Sequence, residues 1–329
     1  MKNLIFLTLF LIGIILFLSC NKKDNNKSIA NETGFKQKMR EFVIRISEYS
    51  KTINPNFNVI PQNGIELVSS NGDNTGQPQT AYLNAIDANG QEDLFYGYDN
   101  DDQATPSATI SYLKDFLNIS KNAGKKILVT DYCSTSSKMN NSYLENNNSG
   151  YVSFAANQRE LNNIPSIPMP IYRENNNFIT SITQVKNFLY LINPTKYFTK
   201  TNFINAVNAT NYDLLIMDLF FHDGVVFTAS EISKLKNKAN GGKRLVISYM
   251  SIGEAENYRY YWQSGWNTNK PSWLDAENPN WRGNFKVKYW NSEWQSIIYG
   301  NDNCYLKKIL NAGFDGVYLD IIDAFEFYE

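Results

Sequence analysis

The chain has 329 residues, with 31 Lys plus Arg against 32 Asp plus Glu, one His, three Cys and six Trp. A formal charge of −1 lacks the basic excess of a dedicated nucleic-acid binder, so no nucleic-acid partner is expected. One His and scattered Cys leave no Cys/His zinc cluster, and His222 is the one place around which a nucleophile–His triad could be built.

The chain opens with Lys2 and an uncharged apolar run over 4–18 that ends in Phe17-Leu18-Ser19-Cys20. This is shorter than the roughly 20 residues of a membrane span and suits the core of a secretory signal. The last four residues resemble a bacterial lipoprotein box. They predict a signal peptide over 1–20, lipid on Cys20, and anchoring to a membrane of the cell envelope, facing periplasm or exterior. A plainly cleaved signal or a short anchor helix is the alternative. Residues 21–33 are polar and read as a flexible tether. Cys133 and Cys304 are expected as thiols. Residues 34–329 suffice for one large domain, expected as a monomer, and no internal repeat stands out.

In chain order, the patterning predicts a helix over 35–50, a strand at 57–61, a weak strand at 94–97, a helix over 108–123 and strands at 126–131 and 151–155. A helix over 183–192, a strand at 213–219 and a helix over 228–239, stopped by Gly241-Gly242, come next. Strands at 244–250 and 285–290, a helix over 292–312 and a strand at 316–320 complete the set. The Asn runs at 146–148 and 175–177 read as loops. Apolar strands alternating with helices indicate an α/β fold with a parallel sheet covered on both faces. Eight strands favour a (β/α)8 TIM-type barrel, and no Gly-rich phosphate loop follows the first one. Nine residues follow Asp320, too few for a full last helix, so the helix at 35–50 is the candidate to replace it.

In such a barrel the chemistry sits where strands end. The expected strands run into Gln62-Asn63-Gly64, Asp131-Tyr132, Asp218, Ser251-Ile252-Gly253-Glu254-Ala255-Glu256 and Asp320, with Asp323 close behind. Carboxylates converging without basic partners raise one another's pKa, and a protonated and an ionised carboxyl together are what glycosidic hydrolysis requires. Capping of the following helices is the plainer use of any single Asp, and a divalent-metal site the other use of a cluster. All six Trp fall within 262–294, interleaved with Tyr258, Tyr260, Tyr261 and Tyr289. With Pro271, Pro279 and Gly283, this reads as an exposed aromatic loop suited to sugar faces, or as a loop buried against the barrel by its Trp. Arg259 and Arg282 would steer an anionic group or pair with carboxylates, and a lone His222 is more often a structural hydrogen-bonder.

Three segments, Asp213-Leu-Leu-Ile-Met-Asp218, Ser248-Tyr-Met-Ser-Ile-Gly-Glu254-Ala-Glu256-Asn-Tyr-Arg259-Tyr-Tyr-Trp262 and Gly313-Phe-Asp315-Gly-Val-Tyr-Leu-Asp320-Ile-Ile-Asp323, together resemble glycoside hydrolase family 114, more closely its branch of extracellular TIM-barrel glycosidases. Trp281-Arg-Gly-Asn-Phe-Lys-Val-Lys-Tyr-Trp290, Pro61-Gln62-Asn63-Gly64, Gln91-Glu92-Asp93-Leu94-Phe95-Tyr96-Gly97-Tyr98 and Asp131-Tyr132-Cys133 match that branch as well. The resemblance implies an endo-acting hydrolase of α-1,4-linked galactosamine polymers, with two carboxylates and no cofactor or metal. The last strand of better-known members reads Gly-Val-Glu-Pro-Asp-Asn; here Tyr318 stands in place of that Glu, and Asp320 matches the Asp. On these grounds Asp218, Glu254 and Asp320 are the catalytic candidates, with Glu254 as general acid and Asp320 as nucleophile or base, the two being exchangeable. Asn63, Asp131, Tyr249, Glu256, Tyr258, Arg259, Trp262, Trp281, Trp290, Tyr318 and Asp323 are the candidates to contact a polysaccharide. A non-catalytic carbohydrate-binding surface lipoprotein is the alternative function.

Overall fold

The computed structural model describes residues 23–329, with side chains from Gly34 onward. The signal segment, Cys20 and the start of the tether lie outside the described residues. Helix α1 (Lys23–Ile53) begins within the stretch read as a tether. Next come β1 (Asn58–Pro61), α2 (Thr80–Ala85), β2 (Ala88–Glu92), α3 (Ser107–Asn122), β3 (Lys126–Tyr132), α4 (Ser136–Asn148) and β4 (Val152–Ala156). The second half carries β5 (Phe188–Tyr190), α5 (Lys200–Asn208), β6 (Leu214–Asp218), α6 (Ala229–Leu235), β7 (Leu245–Ser251), β8 (Glu254–Glu256), β9 (Leu274–Glu277) and β10 (Asn284–Val287). It ends with α7 (Ser292–Ile298), α8 (Tyr305–Asn311), β11 (Gly316–Asp320) and a 3-10 turn, Ile322–Phe327.

Two parallel sheets, β1-β11-β7-β6-β5 and β2-β3-β4, hold the core, and β8-β10-β9 form a small antiparallel sheet after β7. The fold is therefore α/β with parallel strands, as expected. Closure into a ring is not complete. β1 meets β2 through the parallel bridge Gln62↔Gly90 and the Asn63 N–H, which donates to Gly90 O at 3.0 Å. Between β4 and β5 no ladder forms among the described residues; the Phe154 and Phe188 rings pack there, 5.8 Å apart.

Several expected elements move. The weak strand expected at 94–97 is replaced by β2 at 88–92, whose Ala-Asn-Gly-Gln-Glu lacks the β-branched residues that mark a strand. Its composition answers to its surroundings: a Cβ on Gly90 would lie 2.0 Å from Tyr318 Oη, so only glycine leaves room for that ring. The helix expected over 183–192 is a 3-10 turn, Ile182–Gln184, followed by β5, which is fully buried and so carries no polar alternation. The run at 285–290 overlaps β10, an antiparallel strand outside the parallel sheets. The helix expected over 292–312 is two, α7 and α8, separated at Gly300 (φ 98°). The Asn run 146–148 closes α4 instead of forming a loop.

Helix α1 buries Met39, Phe42, Val43 and Ile46 and packs against β1, α2, α8 and the 3-10 turn after β11. It thus occupies the place of a helix following β11. Arg40 fastens it by donating to Leu67 O (2.9 Å) and Ser69 O (2.6 Å), and Lys36 pairs with Glu329 at 2.7 Å.

A short repeat, missed in the sequence, organises three strands. Asp87, Asp213 and Asp315 each precede a strand, and each accepts a backbone N–H from the neighbouring segment: Val59 (2.8 Å), Lys186 (2.9 Å) and Val246 (2.9 Å). Each also pairs with a lysine, respectively Lys51 at 3.0 Å, Lys238 at 2.5 Å and Lys236 at 2.6 Å. Five residues on come Glu92, Asp218 and Asp320. An odd spacing along a strand turns the second carboxylate to the opposite face, and the length of the strand carries it to the other end. The first Asp locks the bottom of the sheet, and the second reaches its top.

Candidate active site

A cleft of about 850 Å³ opens at the C-terminal ends of the parallel strands. Its centre is Gln62, just past β1. The Gln62 Nε2 donates to Glu92 Oε2 (2.7 Å) and to Asp320 Oδ1 (3.1 Å), while its Oε1 accepts from Tyr190 Oη (3.0 Å). Glu92 also accepts from Asn63 Nδ2 (3.0 Å) and from the Tyr132 hydroxyl, and Asp320 Oδ2 accepts from Tyr249 Oη (2.7 Å). Three neighbouring strands thus place Gln62, Glu92 and Asp320 in one network. Each of the three is followed by a residue of positive φ, Asn63 (59°), Asp93 (58°) and Ile321 (57°), so each strand breaks off directly after its cleft residue. Asn and Asp tolerate that conformation; Ile adopts it at a cost, and the strain at Ile321 lies directly beside the Asp320 carboxyl.

Burial, and next the charge of Glu92, push the Asp320 carboxyl up to about 8, against the opposing hydrogen bond from Tyr249. Asp323, on the turn that follows, is pushed up to about 7, first by burial and then by Glu326 and Glu92. On another wall, Arg259 binds both Asp218 (2.7 Å) and Glu256, and Glu256 also accepts from Tyr258 Oη (2.7 Å). Burial still raises Asp218, with Arg259 opposing. Glu254 is 0% exposed, and its Oε1 meets Lys286 (2.7 Å) and Asn278 (2.8 Å) while Oε2 has no hydrogen-bond partner. Arg159 binds Asp93 (2.9 Å) and Asp101 (2.7 Å) and lies 3.9 Å over the Tyr132 ring. His222 lines the mouth with Nε2 3.1 Å from Tyr197 O. No group of three or more His, Cys, Asp or Glu is arranged to hold a metal ion among the described residues.

Of the residues singled out in the sequence, Asp218, Glu254, Asp320, Asn63, Tyr249, Glu256, Tyr258, Arg259, Trp281 and Asp323 line this cleft. Four do not. Asp131 is buried away from it, binding the Phe95 N–H (2.8 Å), Ser142 Oγ (2.6 Å) and Asn146 Nδ2 (2.9 Å), which places it under the loop after β2. Tyr318 fills the sheet interior against Gly90 and Tyr190. Trp262 packs on Trp266 and Phe285, and Trp290 packs on Phe35 and Tyr328 beside α1. Trp273 and Trp294 are buried, and the Trp294 indole donates to Ile252 O at 2.9 Å. Most of the tryptophans therefore bury the loop, leaving Trp281 (50% exposed), Tyr258 (62%) and Tyr260 (42%) as aromatic faces at the cleft. Sequence reasoning missed Tyr190 and Arg159 as cleft residues, and noted Gln62, Glu92 and Tyr132 without ranking them. For Glu92 a signal existed: Asp87-x4-Glu92 repeats the spacing of Asp213 to Asp218 and of Asp315 to Asp320.

Residues 188–328 match the profile described as Glycoside-hydrolase family GH114. Among similar proteins, an uncharacterized protein of Deinococcus radiodurans is 42% identical over 123 residues, 37% of each chain. One of Methanocaldococcus jannaschii is 43% identical over 128 residues, 38% of this chain and 34% of its own. One of Thermotoga maritima is 36% identical over 122 residues, 37% of this chain and 36% of its own. The chain thus spans little more than a third of the length of the curated relatives it matches. Asp218, Glu254 and Asp320 lie inside the matched stretch, and it is over this part, residues 188–328, that the chain is similar to glycoside hydrolase family GH114.

Proposed function

We propose that this protein is a surface-anchored glycoside hydrolase that cuts an amino-sugar polysaccharide within the chain, on a (β/α)8-type barrel whose two parallel sheets form one wall. The observation that carries the reading is Asp320, a carboxyl held at about 8 beside other carboxylates at the base of the cleft. At neutral pH it keeps its proton, and a protonated carboxyl facing ionised ones is the requirement for donating to a glycosidic oxygen. Asp320 therefore takes the role of the acid, and Glu254, engaged by Lys286, is a binding group for the sugar instead of a catalytic one. The cleft is lined by seven carboxylates against three arginines. Two of those arginines, Arg159 and Arg259, are committed to Asp and Glu. Such a surface favours a glycan with free amino groups. Lipid on Cys20 would hold the enzyme at the cell envelope; labelled palmitate that enters the chain equally after Cys20→Ser would refute that anchor.

The test is release of reducing ends from partially N-acetylated α-1,4-galactosaminan and from chitosan by the chain from residue 21 onward. Asp320→Asn is expected to lower kcat by about 10²–10⁴-fold with KM little changed. Turnover should fall as pH rises through about 8, where Asp320 loses its proton. No release from either polymer sinks the hydrolase reading, and glycan binding that survives Asp320→Asn would make the protein a carbohydrate-binding lipoprotein.

A further inference from the structure

Glu92 lies outside the stretch matched by the family, yet it is the carboxylate joined to Asp320 through one amide. We infer that Glu92 is the second catalytic carboxylate, the nucleophile that attacks the anomeric carbon while Asp320 protonates the leaving oxygen. The inference rests on the hydrolase reading and names its missing partner.

Three observations carry it. Because a single nitrogen reaches Glu92 Oε2 at 2.7 Å and Asp320 Oδ1 at 3.1 Å, those oxygens are no more than 5.8 Å apart. Carboxyls about 5–5.5 Å apart serve double displacement, whereas about 6.5–9.5 Å is needed to admit a water for direct inversion. Next, three other carboxylates of the cleft are tied to cations: Asp218 and Glu256 to Arg259, and Glu254 to Lys286. Glu92 instead accepts from three neutral donors, Gln62, Asn63 and Tyr132, which hold it in place without cancelling its charge. Third, Gly90, two residues before Glu92 on β2, has no side chain to hold off the Tyr318 ring of β11, and these two strands end in Glu92 and Asp320 respectively.

The step balances without a co-reactant other than water. Glu92 Oε forms a bond to C1 as the C1–O glycosidic bond breaks, and the Asp320 proton passes to the departing oxygen. Water then attacks C1, gives its proton to the Asp320 carboxylate, and displaces Glu92. The configuration at C1 is retained.

Early product from partially N-acetylated α-1,4-galactosaminan, followed by proton NMR, is expected to be the α-anomer. Glu92→Ala should lose at least about 10³-fold in kcat, and sodium azide should restore turnover with a β-glycosyl azide as product. Glu92→Asp, which keeps the charge and hydrogen-bonding capacity, should keep the wild-type melting profile and lose about 10²-fold, so a folding failure of the Ala variant does not decide the matter. Independently of substrate, Glu92→Gln should lower the Asp320 titration midpoint, read by carboxyl ¹³C shifts. A β-anomer as first product, a Glu92→Asp or Glu92→Ala chain with more than a tenth of wild-type turnover, or an unmoved Asp320 midpoint overturns the assignment and leaves the hydrolase reading standing. Wild-type chain that releases no reducing ends overturns both.

Discussion

At Asp320 stability and chemistry pull in opposite directions. Its carboxyl titrates at about 8 in the folded protein and near 4 in an unfolded chain. Between those values the folded state holds a proton that the unfolded state has released, so stability falls as pH rises across that window and levels off above it. Asp323, raised to about 7, acts with the same sign over a narrower range. Asp320→Asn should therefore raise Tm more at pH 8 than at pH 5, measured by calorimetry, while turnover is lost; equal shifts at the two pH values would contradict the raised carboxyl. The same residue shows what the sequence disclosed. Asp218, Glu254 and Asp320 end or follow runs of apolar β-formers, so their place at the cleft was readable. Glu92 ends Ala-Asn-Gly-Gln, whose residues suit a crowded sheet interior rather than a strand pattern, so periodicity passed over it. Tyr318 and Asp131 misled in the opposite way: both lie in family-like motifs, and both are spent on packing and loop anchorage.

At the level of elements, the long apolar strands β3, β6 and β7 and the helix α3 were legible because their periodicity extends over many residues. Strand β5 has three residues and no alternation, and its flanks carry helix-compatible side chains, so only the neighbouring strand β6 makes it a strand. The antiparallel β10 was found near its place but assigned to the wrong sheet, since register with β8 and β9 is a tertiary property. Helix α1 was expected, and its role as the cover for β1 follows from its buried stripe. Phe42→Ala should cost about 3–5 kcal/mol in urea unfolding, as for a fully buried ring, and Lys36→Ala less, about 1–3 kcal/mol, since it removes a charged hydrogen bond between side chains only 11% and 14% exposed. A Phe42→Ala chain of wild-type stability would mean that α1 is dispensable for the sheet it covers.

Across the whole molecule the near-zero net charge conceals an uneven distribution, with Asp–Lys pairs at one end of the sheet and an excess of carboxylates at the other. Attraction of a cationic polymer to that excess is screened by salt. Raising NaCl from about 0.05 to about 0.5 M should increase KM for chitosan several-fold and leave kcat nearly unchanged; an unresponsive KM would point to a neutral glycan. The placement of α1 bears on the order of assembly too. The Lys36–Glu329 pair joins residues 293 positions apart, and α8 and the closing turn are the last surfaces that α1 covers to leave the ribosome. Until then the stripe of Met39, Phe42, Val43 and Ile46 has only α2, β1 and the turn Ile65–Val68 to cover it, and contacts so distant in sequence as those with α8 form slowly. The first described helix of this chain thus completes its seat only once the last described turn has formed.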